Sequence, residues 1–206
     1  MTENNTTAAY IGRTVLTTSE REITADNLLP VLTRLLPVFQ KNKTEADYLY
    51  WYYRGSQPIL NREKKFRPEI CNRIVENHAN EIVSFKKGYT FGEPVQYVRR
   101  AVKDEGEVDP NGDNGKAINL LNEIMANEDK ASKDEELAEW FFICGTAFRM
   151  ILPKNEDDGS ISPIEIETLD PRVTAVVYNT GFGRKPVMSI QEVTIGTPGL
   201  IGEVSL

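Results

Sequence analysis

Up to Gly145, apolar residues recur mostly at helical spacing; beyond it they alternate with polar ones. Leu28, Leu29, Leu32, Leu35, Leu36 and Phe39 follow Thr24, a plausible N-cap, and Asp26 in the first turn, which predicts an amphipathic helix. Pro30 weakens that helix and Pro37 predicts a break in it. Thr44 and Glu45 then restart a helix whose Tyr48, Leu49, Tyr50, Trp51, Tyr52 and Tyr53 are too densely apolar for one face. Some of them must point outward or toward a neighbour. Gly55 ends this helix, Pro58 confirms the break, and a basic loop of Arg62, Glu63, Lys64 and Lys65 follows. Pro68 suits a first helical position, and Cys71, Ile74, Val75, His78, Ile82 and Phe85 form a stripe predicting a helix to about Lys87, before Gly88.

Tyr89 to Phe91 and Val95 to Val98 read as short strands separated by Gly92 and Pro94, suited to a sheet edge or bend. Lys103 to Lys116 is polar and turn-rich. Ile118, Leu121, Ile124 and Met125 mark a short helix. Ser132 and Glu135 have capping-box spacing ahead of Leu137, Trp140, Phe141 and Cys144, and Gly145 ends that helix. Ala147 to Leu152, Ile164 to Thr168, Val173 to Tyr178 and Val187 to Ile195 read as strands, with Asp158-Gly159 as a hairpin turn.

The pattern is α+β, with N-terminal helices followed by a small, mostly antiparallel sheet. It divides the chain into a flexible N-terminal arm over residues 1–22, one domain over 23–195 and a Gly- and Pro-containing tail over 196–206 that suits a truncation point. Internal repeats and low-complexity linkers are not seen.

With 206 residues and 40% hydrophobic content, the chain can bury a real core. Cys71 and Cys144 each fall on an apolar stripe, which predicts buried free thiols rather than a disulfide framework. Neither a signal peptide nor a membrane span is predicted. The net charge of −7 argues against wrapping nucleic acid with the whole surface, yet the charge is uneven. Residues 54–103 hold 11 Lys and Arg against 5 Asp and Glu, and residues 104–170 hold 5 against 18. A basic and an acidic flank can complement each other across subunits, or can be two separately solvated faces.

No catalytic or cofactor signature stands out. Gly112-Asp113-Asn114-Gly115-Lys116 has too short a spacing for a phosphate loop, and Ala117 stands where Ser or Thr is needed. Asp109, Asn111 and Asp113 alternate as in a calcium loop, but Asn114 and Leu120 occupy its glycine and glutamate positions. His78, the single histidine, sits on a helical stripe without a nucleophile or carboxylate at motif spacing, so it reads as structural. Neither a metal nor a cofactor is expected. The aromatic run near Arg54 and the basic loop Arg62 to Arg67 could serve a single-strand binder, but Tyr and Trp suit protein interfaces and cores equally well, and that reading is preferred.

Four marks occur in order: Tyr52-Tyr53-x-Gly55 with Ile59; Asn77 to Val83 leading to Gly88-Tyr89 and Gly92-Glu93-Pro94-Val95; Gly145-Thr146-Ala147-Phe148; and Asp170-Pro171-Arg172 with Val176-Val177-Tyr178. Over about residues 25 to 190 they resemble the portal proteins of tailed double-stranded-DNA phages. The resemblance implies a non-enzymatic ring, usually of about twelve subunits, at one capsid vertex. Its implied partners are capsid and scaffold proteins, the terminase motor, head-completion or tail proteins, and double-stranded DNA passing through the channel. Tyr52, Tyr53, Gly55, Gly88, Tyr89, Gly92, Pro94, Asp170 and Pro171 are then expected to define the fold or the subunit interface, with Gly88 as a left-handed helix end. Family members are longer and continue into stem, clip and crown, so the resemblance covers the wing portion, and no channel-lining or motor-contacting residue carries over. Rival readings are a nucleic-acid-binding module using residues 54–103, a small hydrolase using His78, and a short portal-like protein that binds full-length subunits or is sensed by a host defence protein.

Overall fold

The computed structural model describes residues 13–98, 113–154 and 162–193. They cluster into two compact units, one from residues up to 75 together with those from 170 onward, the other from residues 76–169. The sequence pattern had placed residues 23–195 in one domain. Asp109, Asn111, the Asp158-Gly159 turn and the tail from residue 194 lie outside the described residues. The fold is α+β.

The first unit is a long helix laid on a three-stranded sheet. Helix α1, Ala25–Tyr53, buries Val31, Leu32, Leu35 and Phe39 against Leu16, Ala175, Val177 and Ile190. Strand β1, Leu16–Thr18, falls in the stretch read as a flexible arm; it pairs in parallel with β4, Thr174–Asn179, placing Leu16 opposite Val177. Strand β5, Pro186–Gln191, completes the sheet antiparallel to β4 in the order β1-β4-β5. Tight burial of Leu16 and Thr18 is what outweighs the polar composition around them.

The break expected at Pro37 is absent: α1 runs through both Pro30 and Pro37. The two prolines are seven residues apart, on one exposed face, so the carbonyls they leave unpaired can be hydrated. Thr24 is the N-cap, and its backbone N–H donates to Asn27 Oδ1 at 2.8 Å. The helix stops in a Schellman arrangement. Gly55 adopts φ 90° and donates to Tyr52 O at 3.0 Å, and Ser56 donates to Trp51 O at 2.8 Å. A short 3₁₀ turn over Pro58–Asn61 follows, and residues 62–77 have no regular structure, in place of the helix expected from Pro68.

The second unit packs three helices with a two-stranded ribbon. Helix α2, His78–Phe91, begins at Asn77, whose side chain accepts from the Asn80 backbone N–H. It continues through Gly88, Tyr89 and Phe91, where a helix end and a strand were expected, because Ile82, Phe85 and Tyr89 extend one helical stripe past a lone glycine. Val95 to Val98 form no strand; Asn122 holds Tyr97 instead, accepting from its N–H and donating to its carbonyl, each at 3.0 Å. Helix α3, Asp113–Asn127, contains Asp113 to Lys116 as helical backbone. Helix α4, Lys130–Cys144, starts ahead of the predicted capping box, with Ser132 Oγ donating to Asp129 Oδ1. Gly145 ends it at φ 69°, donating to Phe141 O at 2.8 Å. Strands β2, Phe148–Pro153, and β3, Ile164–Leu169, pair antiparallel with Phe148 opposite Leu169.

Candidate subunit-contact surface

Within the first unit, the chain brings the first and fourth sequence marks together. Tyr52 and Tyr53 are the last residues of α1, half-buried, with Gly55 in the turn that stops it. Asp170 and the buried Pro171 form the turn ahead of β4. Arg172 links the two places. Its guanidinium donates to both Asp170 oxygens, Nη2 to Oδ2 at 2.6 Å and Nε to Oδ1 at 3.0 Å, and its carbon lies 4.3 Å from the Tyr50 ring centre. Asp47, one turn before Tyr50 on α1, adds a carboxylate 3.6 Å from Nη1. The hydrogen bonds to Asp170, with the nearby carboxylates, push the Arg172 pKa further up, so the cation is permanent.

Tyr48 and Trp51 of the aromatic run face outward. Tyr48 packs on Tyr52 with ring centres 6.2 Å apart, and Tyr50 meets Trp51 edge-on at 5.6 Å. Tyr48 and Trp51 still leave about half their surface in solvent, at 51% and 55%.

In the second unit the second and third marks are neighbours through the packing of α2 on α4. Lys87 Nζ donates to Glu139 Oε2 at 2.9 Å, and Lys86 Nζ lies 5.8 Å from the Phe142 ring centre. The face of α2 singled out in the sequence is the uncovered one: Val83 is the buried residue, whereas Phe85 and Tyr89 are 74% and 86% exposed and stack with ring centres 6.4 Å apart. Cys71, expected inside, is exposed, while Cys144 is buried. Gly88 has helical rather than left-handed backbone and open space where a Cβ would stand. At Gly92 a Cβ would meet the Gly88 carbonyl oxygen at 2.5 Å. Pro94 is exposed beside it and walls a groove of about 470 Å³ with Val95, Met125 and Ala126.

His78 is also exposed. Nδ1 lies 3.0 Å from Glu81 Oε2 and Nε2 lies 3.2 Å from Glu76 Oε2, and these hydrogen bonds, Glu81's foremost, push its pKa up. Both ring nitrogens are thus engaged by local carboxylates. Among the described residues no group of His, Cys, Asp and Glu is arranged to hold a metal, and no helix is long and apolar enough to cross a membrane.

Two buried charge clusters in the second unit were not singled out from the sequence. Glu128, 6% exposed, takes Lys154 Nζ at 2.6 Å and the Ile166 N–H at 3.2 Å. The Lys154 bond, aided by Ser162 and Ile166, outweighs burial and holds the carboxyl below the usual range. Asp134 pairs with Lys130 one turn earlier on α4 and with Arg149 Nη1 at 2.7 Å. Burial pushes its pKa up, but the bonds from Lys130 and Arg149 bring it below the ordinary value. Glu128 and Asp134 join the helices to the ribbon, and Asp134 also borders the groove beside Pro94. An acid at the end of an amphipathic helix was the faint signal for Glu128.

Compared with known families, residues 32–201 match the profile described as phage portal protein, SPP1 Gp6-like. That span takes in all four marks. No curated protein matches the chain.

Proposed function

The chain belongs to the SPP1 Gp6-like family of phage portal proteins, and from that premise we propose that it is a wing-region subunit of a ring of about twelve copies. The family is structural and non-enzymatic, and its place is the capsid vertex, as an oligomeric ring. The finer reading is that this ring serves head assembly, DNA packaging and ejection, and tail attachment. Capsid and scaffold proteins, the terminase and head-completion proteins are then its partners, and it is built in the host cytoplasm before residing in the virion. Tyr52, Tyr53, Gly55, Asp170 and Pro171 act as fold-defining residues in this reading, and Gly88 and Tyr89 on α2, with Gly92 and Pro94 beyond its end, act at contact surfaces.

The observation that carries the proposal is an uncovered aromatic pair in each unit: Tyr48 and Trp51 on α1 in the first, and Phe85 and Tyr89 on α2 in the second. Aromatic residues bury area at small entropic cost, and clusters left open mark interfaces.

The test is the solution mass of the purified chain by light scattering, followed by negative-stain imaging of any large species. Rings of about a dozen subunits are expected. A chain that stays monomeric at high concentration and binds DNA with a steep salt dependence would instead favour a nucleic-acid module built on residues 54–103.

A further inference from the structure

The turn between β4 and β5 carries a fully exposed Phe182 between Gly181 and Gly183, with Arg184 and Lys185 next to it and no acidic residue from Thr180 to Lys185. It is a held turn. The Asn179 N–H donates to Lys185 O at 2.8 Å, Asn179 Nδ2 donates to Glu20 O at 2.7 Å, and Arg184 N donates to Gly181 O at 3.2 Å. Gly183 at φ 87° and Arg184 at φ 42° set the left-handed backbone that lifts the phenyl ring outward. A fixed aromatic tip loses little conformational freedom on docking.

The groove beside Pro94 has the complementary character. Its about 470 Å³ falls in the range that encloses a small ligand, so one aromatic ring can enter. Pro94, Val95, Met125 and Ala126 give it apolar walls, with Asp129 at its margin. A second hollow shares Pro94 and Val95 and adds Glu93 and Glu135. Lys130, the cation of the groove, already pairs with Asp134. Carboxylates therefore set the sign of its rim.

We infer that the Phe182 tip of one copy seats in the Pro94–Met125 groove of a second copy, with Arg184 and Lys185 facing the acidic rim. The inference rests on the ring reading and names one of its contacts. A ring needs two different, complementary surfaces on each subunit, and this tip and groove are such a pair. Segments outside the described residues are poorer occupants: residues 1–12, 99–112, 155–161 and 194–206 each contain more Asp and Glu than Lys and Arg. Phe66 is also exposed among cations, but it lies in a stretch without regular structure and not in a held turn.

Disulfide trapping tests the contact in full-length chains carrying Cys71→Ser, since Cys71 is exposed and Cys144 is buried. Copies with Phe182→Cys under one tag are mixed with copies carrying Val95→Cys under another. The expected result is a disulfide between the two tags. Phe182→Ala weakens self-association about tenfold or more while Phe66→Ala leaves it unchanged. Lys185→Glu weakens it similarly, and Glu93→Lys in the same chain restores it. Absence of the mixed disulfide, or unchanged assembly in Phe182→Ala, overturns the inference. If the parent chain still forms rings in that case, the ring reading stands without this contact. If the parent chain is monomeric and no disulfide forms, both fall. Because Phe182 is fully exposed, its replacement leaves folding intact, which a melting curve checks.

Discussion

The Arg172 guanidinium lies over the Tyr50 ring, 4.3 Å from its centre, while its nitrogens grip Asp170. A planar fork can stack and bond at once; an ammonium cannot. Arg172→Lys is therefore expected to lower stability by about 1 kcal/mol despite keeping the charge, and Arg172→Ala by about 2 kcal/mol. Urea unfolding followed by aromatic fluorescence measures both. A lysine variant as stable as the parent would show that charge alone matters at this position.

Two glycines of the family marks should respond in opposite directions. Gly55 sits at φ 90°, so Gly55→Ala strains the backbone and costs about 1 kcal/mol or more. Gly88 lies inside α2 with nothing near the place of a Cβ, so Gly88→Ala should add stability, by up to about 1 kcal/mol. Thermal melts of the two variants decide it. Destabilisation by Gly88→Ala would mean that this helix face is already in contact in the folded protein.

Pro37 offers a similar check on α1. Its ring is exposed, and the helix passes through it without the Thr33 carbonyl receiving its usual partner. Pro37→Ala restores that hydrogen bond, which should outweigh the added freedom of the unfolded chain and raise stability by about 1 to 2 kcal/mol. A loss of stability would show that the proline shapes a bend that the core requires.

What was legible in the sequence was mostly local chemistry. Thr24, Gly55 and Gly145 each governed their helix ends as their types predict, and the alternation after Gly145 marked four strands within a few residues. The errors came where tertiary contacts outvote local signals. Pro37 suggested a break, but Leu35 and Phe39 on either side are buried and hold the helix together. Gly88 suggested an end, but glycine in a helix costs only about 1 kcal/mol, which the turns around it can bear. Leu16 to Thr18 looked like an arm because its partner strand lies far along the chain. The pairing of the marks through Arg172 and Tyr50 is a long-range fact that no local period encodes, and the groove beside Pro94 needs Asn122 to hold the segment at Tyr97 in place.

Glu128 makes the second unit acid-sensitive. Its carboxyl, ordinarily near 4.5, is held lower in the folded chain, chiefly by Lys154. A depressed folded pKa contributes stability that is fully present above 4.5 and is lost as pH falls through the folded value. Asp134 acts with the same sign below its ordinary 3.8. Glu128→Gln should therefore flatten the loss of stability below about pH 4.5. Lys154→Met, which leaves the buried carboxylate without its cation and held only by Ser162 and the Ile166 N–H, should cost about 3 kcal/mol at neutral pH. Melting temperatures between pH 3 and pH 7 test both, and an acid profile unchanged in Glu128→Gln would rule out this carboxyl as the source.

Phe85 and Tyr89 separate folding from assembly. Both side chains are mostly exposed, so replacing them removes little that the single subunit buries. The double variant Phe85→Ser, Tyr89→Ser loses their mutual stacking and should alter subunit stability by no more than about 1 kcal/mol. In a ring that covers this face, the same change should weaken association strongly, because buried aromatics dominate interface energetics. Light scattering over a concentration series, run beside thermal melts, distinguishes the two effects. Normal melting with reduced oligomer mass assigns the α2 face to the interface. Normal melting with unchanged mass removes it from the contact surface and leaves Tyr48 and Trp51 as the aromatic pair to test next.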